Sequence, residues 1–245
     1  MCNVHLTVHM MIKVVVAICF ASMIFRCESQ RNISVSSDVS LQPKIAPQER
    51  VIDSTRIGIS NQFKIDIWQT RNPDNQETFA EFVLYRRIKD QWRQIQTFKT
   101  QKDGISSLDP VFSDFNNDGY NDLTFQSSTA ARGANELRTL FIFDRKAGKL
   151  REIKNSSNYP NLEYNKQLNC IDAWLVYGGS STVFFTLEAD TLHEFAGVDI
   201  LSDGSRTVYE IADKGSKSIL RRDSVPRDEV YTRYKNYKPL EVAEQ

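Results

Sequence analysis

The chain has 245 residues, of which 40% are hydrophobic and 25% are charged, a composition typical of a soluble globular protein and not of a disordered or multi-span membrane chain. Its 31 Lys and Arg residues balance its 31 Asp and Glu residues, so no long-range field favours phosphate backbones or anionic lipid. We therefore expect no nucleic-acid partner. The length allows one domain or two small ones, and favours one if the fold is all β.

The N-terminus has the pattern of an export signal. Lys13 precedes an apolar run over residues 14–25. This run is too short for a bilayer-spanning helix of about 20 residues, and it has the length of a signal-peptide core. We therefore predict that residues 1–26 form a signal peptide and that the mature protein is exported.

Cys27 follows this run at the place where a bacterial lipoprotein signal is cut and its cysteine acylated. Arg26 is larger than the residue that usually precedes such a cysteine, so ordinary cleavage after Met23, with Cys27 incidental, is the alternative. The mature chain would keep only Cys27 and Cys170, and a domain of this size does not need a disulfide between them. We predict lipidation of Cys27 and an anchor in the outer membrane, on the periplasmic or cell-surface side of a bacterial envelope.

Residues 27–49 are rich in Ser, Asn, Gln and Pro and lack hydrophobic periodicity, which is typical of a flexible tether. In residues 50–245 no segment has apolar residues at helical spacing over three turns. Short β-branched and aromatic runs instead recur about every dozen residues between turn residues. This pattern predicts a single all-β domain, a compact propeller-like or meander arrangement of antiparallel strands with one calcium-binding loop.

The predicted strands and the C-terminal segment complete this interpretation of the domain. Tyr231, Tyr234 and Tyr237 follow one another at a spacing of three, which indicates a docked tail or a short helical turn. The predicted strands lie near residues 56–68, 78–88, 92–99, 122–127, 138–144, 149–153, 168–176, 181–188, 191–201, 206–212 and 218–222.

The nonamer from Asp114 to Asp122 carries the clearest chemical signal in the chain. Oxygen-bearing side chains occupy its positions 1, 3, 5 and 9, and glycine at position 6 permits the sharp bend that turns alternate residues inward. Ca²⁺ takes six to eight oxygen ligands at about 2.3–2.6 Å. We therefore predict a calcium site, with a solvated polar turn as the alternative. Its ligands would be the side chains of Asp114, Asn116, Asp118 and Asp122 and the backbone carbonyl of Tyr120.

The motif is not an EF-hand, because its twelfth position holds Phe125 and not a bidentate glutamate. A calcium loop between two strands resembles the loops of FG-GAP and VCBS repeats in integrin-type β-propellers, although this chain has the nonamer once. Over residues 108–200, the calcium strand is followed by a loop with Gly133-Ala134-Asn135 and a strand with Phe141-Ile142-Phe143-Asp144. This order resembles a family of single-copy calcium-loop proteins exported by Gram-negative bacteria.

That family includes periplasmic lipoprotein immunity proteins, which restrain peptidoglycan hydrolases delivered by type IV secretion systems. The resemblance implies a compact β fold with bound Ca²⁺, no catalytic activity, and a protein partner that is a peptidoglycan hydrolase. It assigns no inhibitory residue. The polar loop after the calcium strand, with Arg132, Gly133 and Asn135, is our candidate for partner contacts, and an ordinary hairpin loop is the alternative.

The remaining composition gives little indication of catalysis. His193 is the only histidine outside the signal peptide, and the chain has neither a Gly-x-Ser-x-Gly elbow nor a His/Cys cluster for zinc. Cys170 lies in a strand-like stretch and is predicted to be a buried thiol. A carboxylate pair is defined by its spacing in the fold, so an envelope glycan hydrolase remains an alternative. We predict a calcium-stabilised, envelope-anchored binding protein of the inhibitor or immunity type and not an enzyme, with a surface adhesion or glycan-binding module as the alternative.

Overall fold

The computed structural model describes residues 47–212 and 215–243. The predicted signal peptide, Cys27 and the tether up to residue 46 lie outside the described residues. Within the described ranges the chain is all β, as predicted, with strands in four antiparallel sheets and three single-turn 3-10 segments. No helix in this part of the chain combines the length and the apolar character of a membrane span.

The strands follow one another along the chain as meanders, and no sheet closes on itself within the described ranges. The first sheet contains β1 Glu49–Asp53, β2 Phe63–Arg71, β3 Thr78–Ile88 and β4 Gln91–Lys102. The second contains β5 Val111–Ser113, β6 Asp122–Ala130, β7 Asn135–Asp144 and β8 Lys149–Glu152. The third contains β9 Glu163–Asn165, β10 Cys170–Val176, β11 Ser180–Glu188, β12 Thr191–Ile200, β13 Ser205–Ile211 and β14 Lys217–Ser224. A C-terminal hairpin contains β15 Tyr234–Tyr237 and β16 Leu240–Val242.

The second sheet is the central layer, because β7 is apolar on both faces. Phe141 and Phe143 pack against the first sheet, whereas Leu140 and Ile142 pack against the third. Adjacent side chains of a strand point to opposite faces, so a continuous apolar run is what a strand between two layers requires. Phe141 also contacts the Phe98 ring edge-on at a centroid distance of 4.7 Å, a geometry that favours aromatic pairs.

The C-terminal hairpin covers the far face of the third sheet. Phe184 of β11 packs there with Tyr234, which is 1% exposed, and with Val230. The docked-tail interpretation of the C-terminal tyrosines is therefore confirmed, and the helical turn is wrong. The hairpin forms because Tyr234 is buried by the third sheet, a long-range contact that the tyrosine spacing does not encode.

The structure moves the start of one predicted strand and adds several short ones. Residues 56–62 form a bend before β2, because Gly58 and Asn61 adopt left-handed backbone conformations with φ of 54° and 58°. A Cβ at position 58 would lie 2.6 Å from the Phe143 ring, so this close approach requires glycine. The strands absent from the prediction are β1, β5, β9, β15 and β16, each of three to five residues.

Side-chain amides join neighbouring sheets at their edges. In each case the amide nitrogen donates to the carbonyl of one residue in the next sheet, and the amide oxygen accepts from the N–H of the same residue, at 2.7–2.9 Å. The amide thus makes the two hydrogen bonds that a neighbouring strand would make. We call these pairs the amide clasps: Gln96 with Leu150, Asn135 with Val176, and Asn155 with Leu192.

Candidate metal loop and adjacent cavity

The predicted calcium loop connects β5 to β6 and is closed by the antiparallel pair of Ser113 and Asp122. Asn117 and Gly119 adopt φ of 57° and 85°, which folds the loop back on itself. No atom lies within 4 Å of a Cβ built on Gly119, so glycine is required there for its backbone conformation and not for space. The strand, loop, strand order is the one that the motif predicted.

Three of the predicted ligand side chains are gathered inside this loop by hydrogen bonds to its own backbone. The Asp114 carboxylate accepts from the N–H groups of Asp118 at 3.2 Å and Gly119 at 2.8 Å. Asn116 Oδ1 also accepts from Asp118 N–H at 3.2 Å, and Asp118 Oδ1 accepts from Tyr120 N–H at 2.9 Å. The structure therefore brings Asp114, Asn116 and Asp118 together.

Asp122 has a different position, since it is fully buried and anchors the loop to the core. Its Oδ1 accepts from Phe143 N–H and its Oδ2 from Phe115 N–H, both at 2.8 Å. The pKa of the Asp122 carboxyl is raised to about 7. Burial is the main cause, and the nearby charges of Asp118 and Asp114 act in the same direction, whereas the two amide hydrogen bonds lower the pKa. The carboxylate thus joins the loop to the central strand β7.

The donor set matches Ca²⁺ in its chemistry. Within the described ranges no group of three or more Asp, Glu, His or Cys side chains converges as a metal-ligand cluster. The predicted set instead combines carboxylates with the amide oxygen of Asn116 and the carbonyl of Tyr120, all of them the oxygen ligands that Ca²⁺ prefers. A carboxylate oxygen that accepts one amide hydrogen bond retains acceptor capacity. The donor types of the loop therefore suit a calcium ion, and calcium binding stays a prediction.

The predicted partner loop is the tip of the β6–β7 hairpin. Arg132 and Gly133 are exposed there, with φ of 57° and 93°. Asn135 is placed differently, because its side-chain amide is engaged in the clasp with Val176. Partner contact through Arg132 and Gly133 stays a prediction, and the structure gives Asn135 a role in joining two sheets.

Cys170 is buried, as predicted, and burial raises the pKa of its thiol to about 12. The thiol is therefore protonated at neutral pH and is not an activated nucleophile.

A cavity of about 420 Å³ lies beside the metal loop, between the second and third sheets. Asn117 of the loop donates to the side-chain oxygen of Asn169 at 3.1 Å, and the Tyr164 hydroxyl donates to the same oxygen at 2.6 Å. These bonds join the loop to the β9–β10 turn at the cavity rim. The sequence does not predict this cavity, because its wall is assembled from separate segments. The lining residues are Phe115, Asn116, Arg151, Tyr164, Asn169, Cys170, Ile171, Phe185, Thr186, Leu187 and Ala189.

Comparison with protein-family models and with curated protein sequences finds no match. The solved structure of a Xanthomonas type IV secretion system related protein is similar to this chain, with a TM-score of 0.45 and 9% sequence identity. The similarity covers 72% of this chain and 98% of the other. A similarity of this extent leaves the function to be inferred from the residues of this chain.

Proposed function

We propose that this protein is a calcium-stabilised binding protein of the bacterial envelope, exported and lipid-anchored through Cys27, which acts by holding a protein partner and not by catalysis. The observation that carries the proposal is the organisation of the loop from Asp114 to Asp122. Its backbone already gathers three oxygen-bearing side chains, and its last residue is bonded to the central strand. An ion held there would order one edge of the central layer.

The electrostatics of the loop support a stabilising cation. Asp114, Asp118 and Asp122 place three carboxylates within nine residues, and like charges this close repel one another. Asp122 also bears the cost of burial. A divalent cation would offset both effects, and binding to the folded state alone would raise the free energy of unfolding.

Removal of calcium should therefore lower the melting temperature. At ten to one hundred times the dissociation constant, an ion stabilises the folded state by about 1.4 to 2.7 kcal/mol. For a chain of this size that corresponds to about 3 to 10 °C. We expect this decrease when excess chelator replaces millimolar Ca²⁺ in a thermal unfolding experiment, and we expect Mg²⁺ to restore little of it because Mg²⁺ demands shorter, octahedral coordination.

Two variants make this experiment specific to the loop. Asp118→Ala should melt at about the temperature of the chelated wild type and should not respond to chelator. Asp203→Ala removes a carboxylate from an exposed turn outside the loop, and it should keep the full calcium response. Identical wild-type melting curves in calcium and in chelator would show that the loop is a polar turn.

For the partner, we propose a cell-wall hydrolase, on the basis of the motif resemblance described above. The exposed hairpin tip at Arg132 and Gly133 supports this proposal, since it projects beyond the paired part of β6 and β7. A stable complex needs about 800 Å² of surface on each partner, so the contact would extend beyond the hairpin tip.

The mature protein should inhibit a lysozyme-like or other peptidoglycan-cleaving enzyme at roughly equimolar amounts. Arg132→Glu should weaken this inhibition at an unchanged melting temperature, whereas Arg222→Glu on the exposed strand β14 should inhibit as the wild type does. Turnover of peptidoglycan or another glycan by the protein itself would contradict the binding role. Failure against a broad panel of hydrolases would contradict the partner class.

A further inference from the structure

The cavity beside the metal loop contains one charged side chain, and it has no partner. Arg151 lines the cavity, and the Nη1 atom of its guanidinium is buried without a hydrogen-bond partner. No ion pair joins Arg151 to a carboxylate anywhere in residues 47–212 or 215–243. A buried donor without an acceptor is costly, and more so when it is charged. An acceptor in the cavity, a water molecule or a group of a ligand, would therefore stabilise the arginine.

The rest of the wall limits what this acceptor is. Asp and Glu are absent from the lining residues, so the positive charge is not balanced from within the cavity. Phe115, Ile171, Phe185 and Leu187 make one part of the wall apolar. A fitting group thus has a negatively charged end and an apolar body. The planar guanidinium suits a carboxylate in particular, because the two can form parallel hydrogen bonds.

We propose that this cavity receives an acidic side chain of the protein partner, with its carboxylate on Arg151 and a neighbouring aromatic residue against the apolar wall. The proposal rests on the binding function proposed above and adds the chemistry of the recognised residue. The volume of about 420 Å³ lies within the range of ligand sites. The cavity is partly open to solvent, which favours a side chain presented by a larger molecule over an enclosed small ligand. Arginine in a desolvated pocket is also a common centre of binding energy.

Titration of the isotope-labelled mature protein with a capped dipeptide, N-acetyl-phenylalanyl-glutamate amide, tests this assignment by NMR at constant calcium. We expect the backbone signals of Asn116, Arg151 and Leu187 to shift, with a dissociation constant on the order of 1 mM. The glutamine dipeptide, equal in shape and without charge, should bind at least tenfold more weakly. In the Arg151→Gln variant, the glutamate dipeptide should bind as weakly as the glutamine dipeptide does.

Further arms keep the result unambiguous. Arg222→Gln removes one positive charge from the exposed strand β14 and should bind as the wild type does, whereas Arg151→Lys should recover part of the affinity. If Arg151→Gln does not fold, the comparison of the two dipeptides on the wild type decides the matter. Equal binding of both dipeptides would overturn the proposal. If 3-phenylpropionate binds more tightly than the glutamate dipeptide, the cavity is a site for a small carboxylate ligand and not for a side chain of a protein partner.

The titration involves no hydrolase, so it separates this inference from the proposed function. Charge-dependent binding at Arg151 together with no hydrolase inhibition would contradict the partner class and leave the cavity assignment supported. Inhibition of a hydrolase without dipeptide binding would contradict the cavity assignment alone.

Discussion

Replacing Asp122 by alanine should lower the free energy of unfolding by about 2 to 6 kcal/mol, because the fully buried carboxyl group is the acceptor for the amides of Phe115 and Phe143. The variant leaves both amides buried without an acceptor, and each such donor costs about 1 to 3 kcal/mol. Urea denaturation measures the loss. The measurement in chelator excludes any effect of the ion, and most of the loss should persist there.

Asp144→Ala is a matched control for this variant. Asp144 likewise accepts two amide hydrogen bonds, from Lys146 and Ala147 at 2.9 and 3.0 Å, but it lies at a solvent-accessible turn. Water can replace the lost acceptor there, so we expect a loss below about 1 kcal/mol. Similar losses for the two variants would contradict the anchoring role of Asp122.

Replacing Arg233 by methionine should destabilise the protein by about 3 to 5 kcal/mol at pH 8, because it leaves the buried carboxylate of Asp172 without its cation. Arg233 also binds Glu163 at 2.9 Å and the carbonyl of Asn161 at 3.1 Å. It thereby connects the segment before β15 to the third sheet. Denaturant unfolding measures this loss of free energy of unfolding. The control Glu163→Gln removes only the exposed partner of Arg233 and should lower the free energy of unfolding by less than about 1 kcal/mol.

The loss in Arg233→Met should depend on pH. Burial raises the pKa of Asp172, while Arg233 and Asn165 act in the opposite direction, so removal of Arg233 raises this pKa further. The Asp172 carboxyl of the folded variant then binds a proton more tightly than it does in the unfolded chain, where the pKa of Asp is about 3.9. Its free energy of unfolding therefore falls as the pH rises from that value through the raised pKa.

The pH profile and a second substitution test this explanation. The destabilisation of Arg233→Met relative to the wild type should be smaller at pH 5 than at pH 8. Adding Asp172→Asn should recover stability at pH 8, since the buried charge is then absent. If the loss of stability is equal at pH 5 and pH 8 and the double variant recovers none of it, the effect of Arg233→Met is due to packing alone.

The parts of this fold that sequence predicts are those that local patterns encode. The apolar run of β7 and the alternation of β3 and β12 mark strands, because side chains along a strand face opposite sides. The metal loop is equally local, since spacing and a glycine define it within nine residues. The all-β fold and the strand, loop, strand order followed from these signals.

The features that sequence did not predict depend on distant partners. Strand β9 has three residues and exists because β10 pairs with it. The role of Asp122 depends on the amide of Phe143, which is remote in sequence. Arg151 resembles any polar residue of a short strand until the third sheet closes the cavity around it. Such features arise from the packing of sheets, which propensity and spacing do not encode.

The amide clasps also give the protein a route of chemical ageing. Hydrolysis of the Asn135 or Asn155 amide to a carboxylate would remove the donor and set a negative oxygen against the carbonyl of Val176 or Leu192. No apolar side chain would be altered, so the damage would be confined to the hydrogen bonds between the second and third sheets. An aged molecule would then be held less firmly between these two sheets while it was still folded, and mass spectrometry of the two asparagine peptides would reveal the modification.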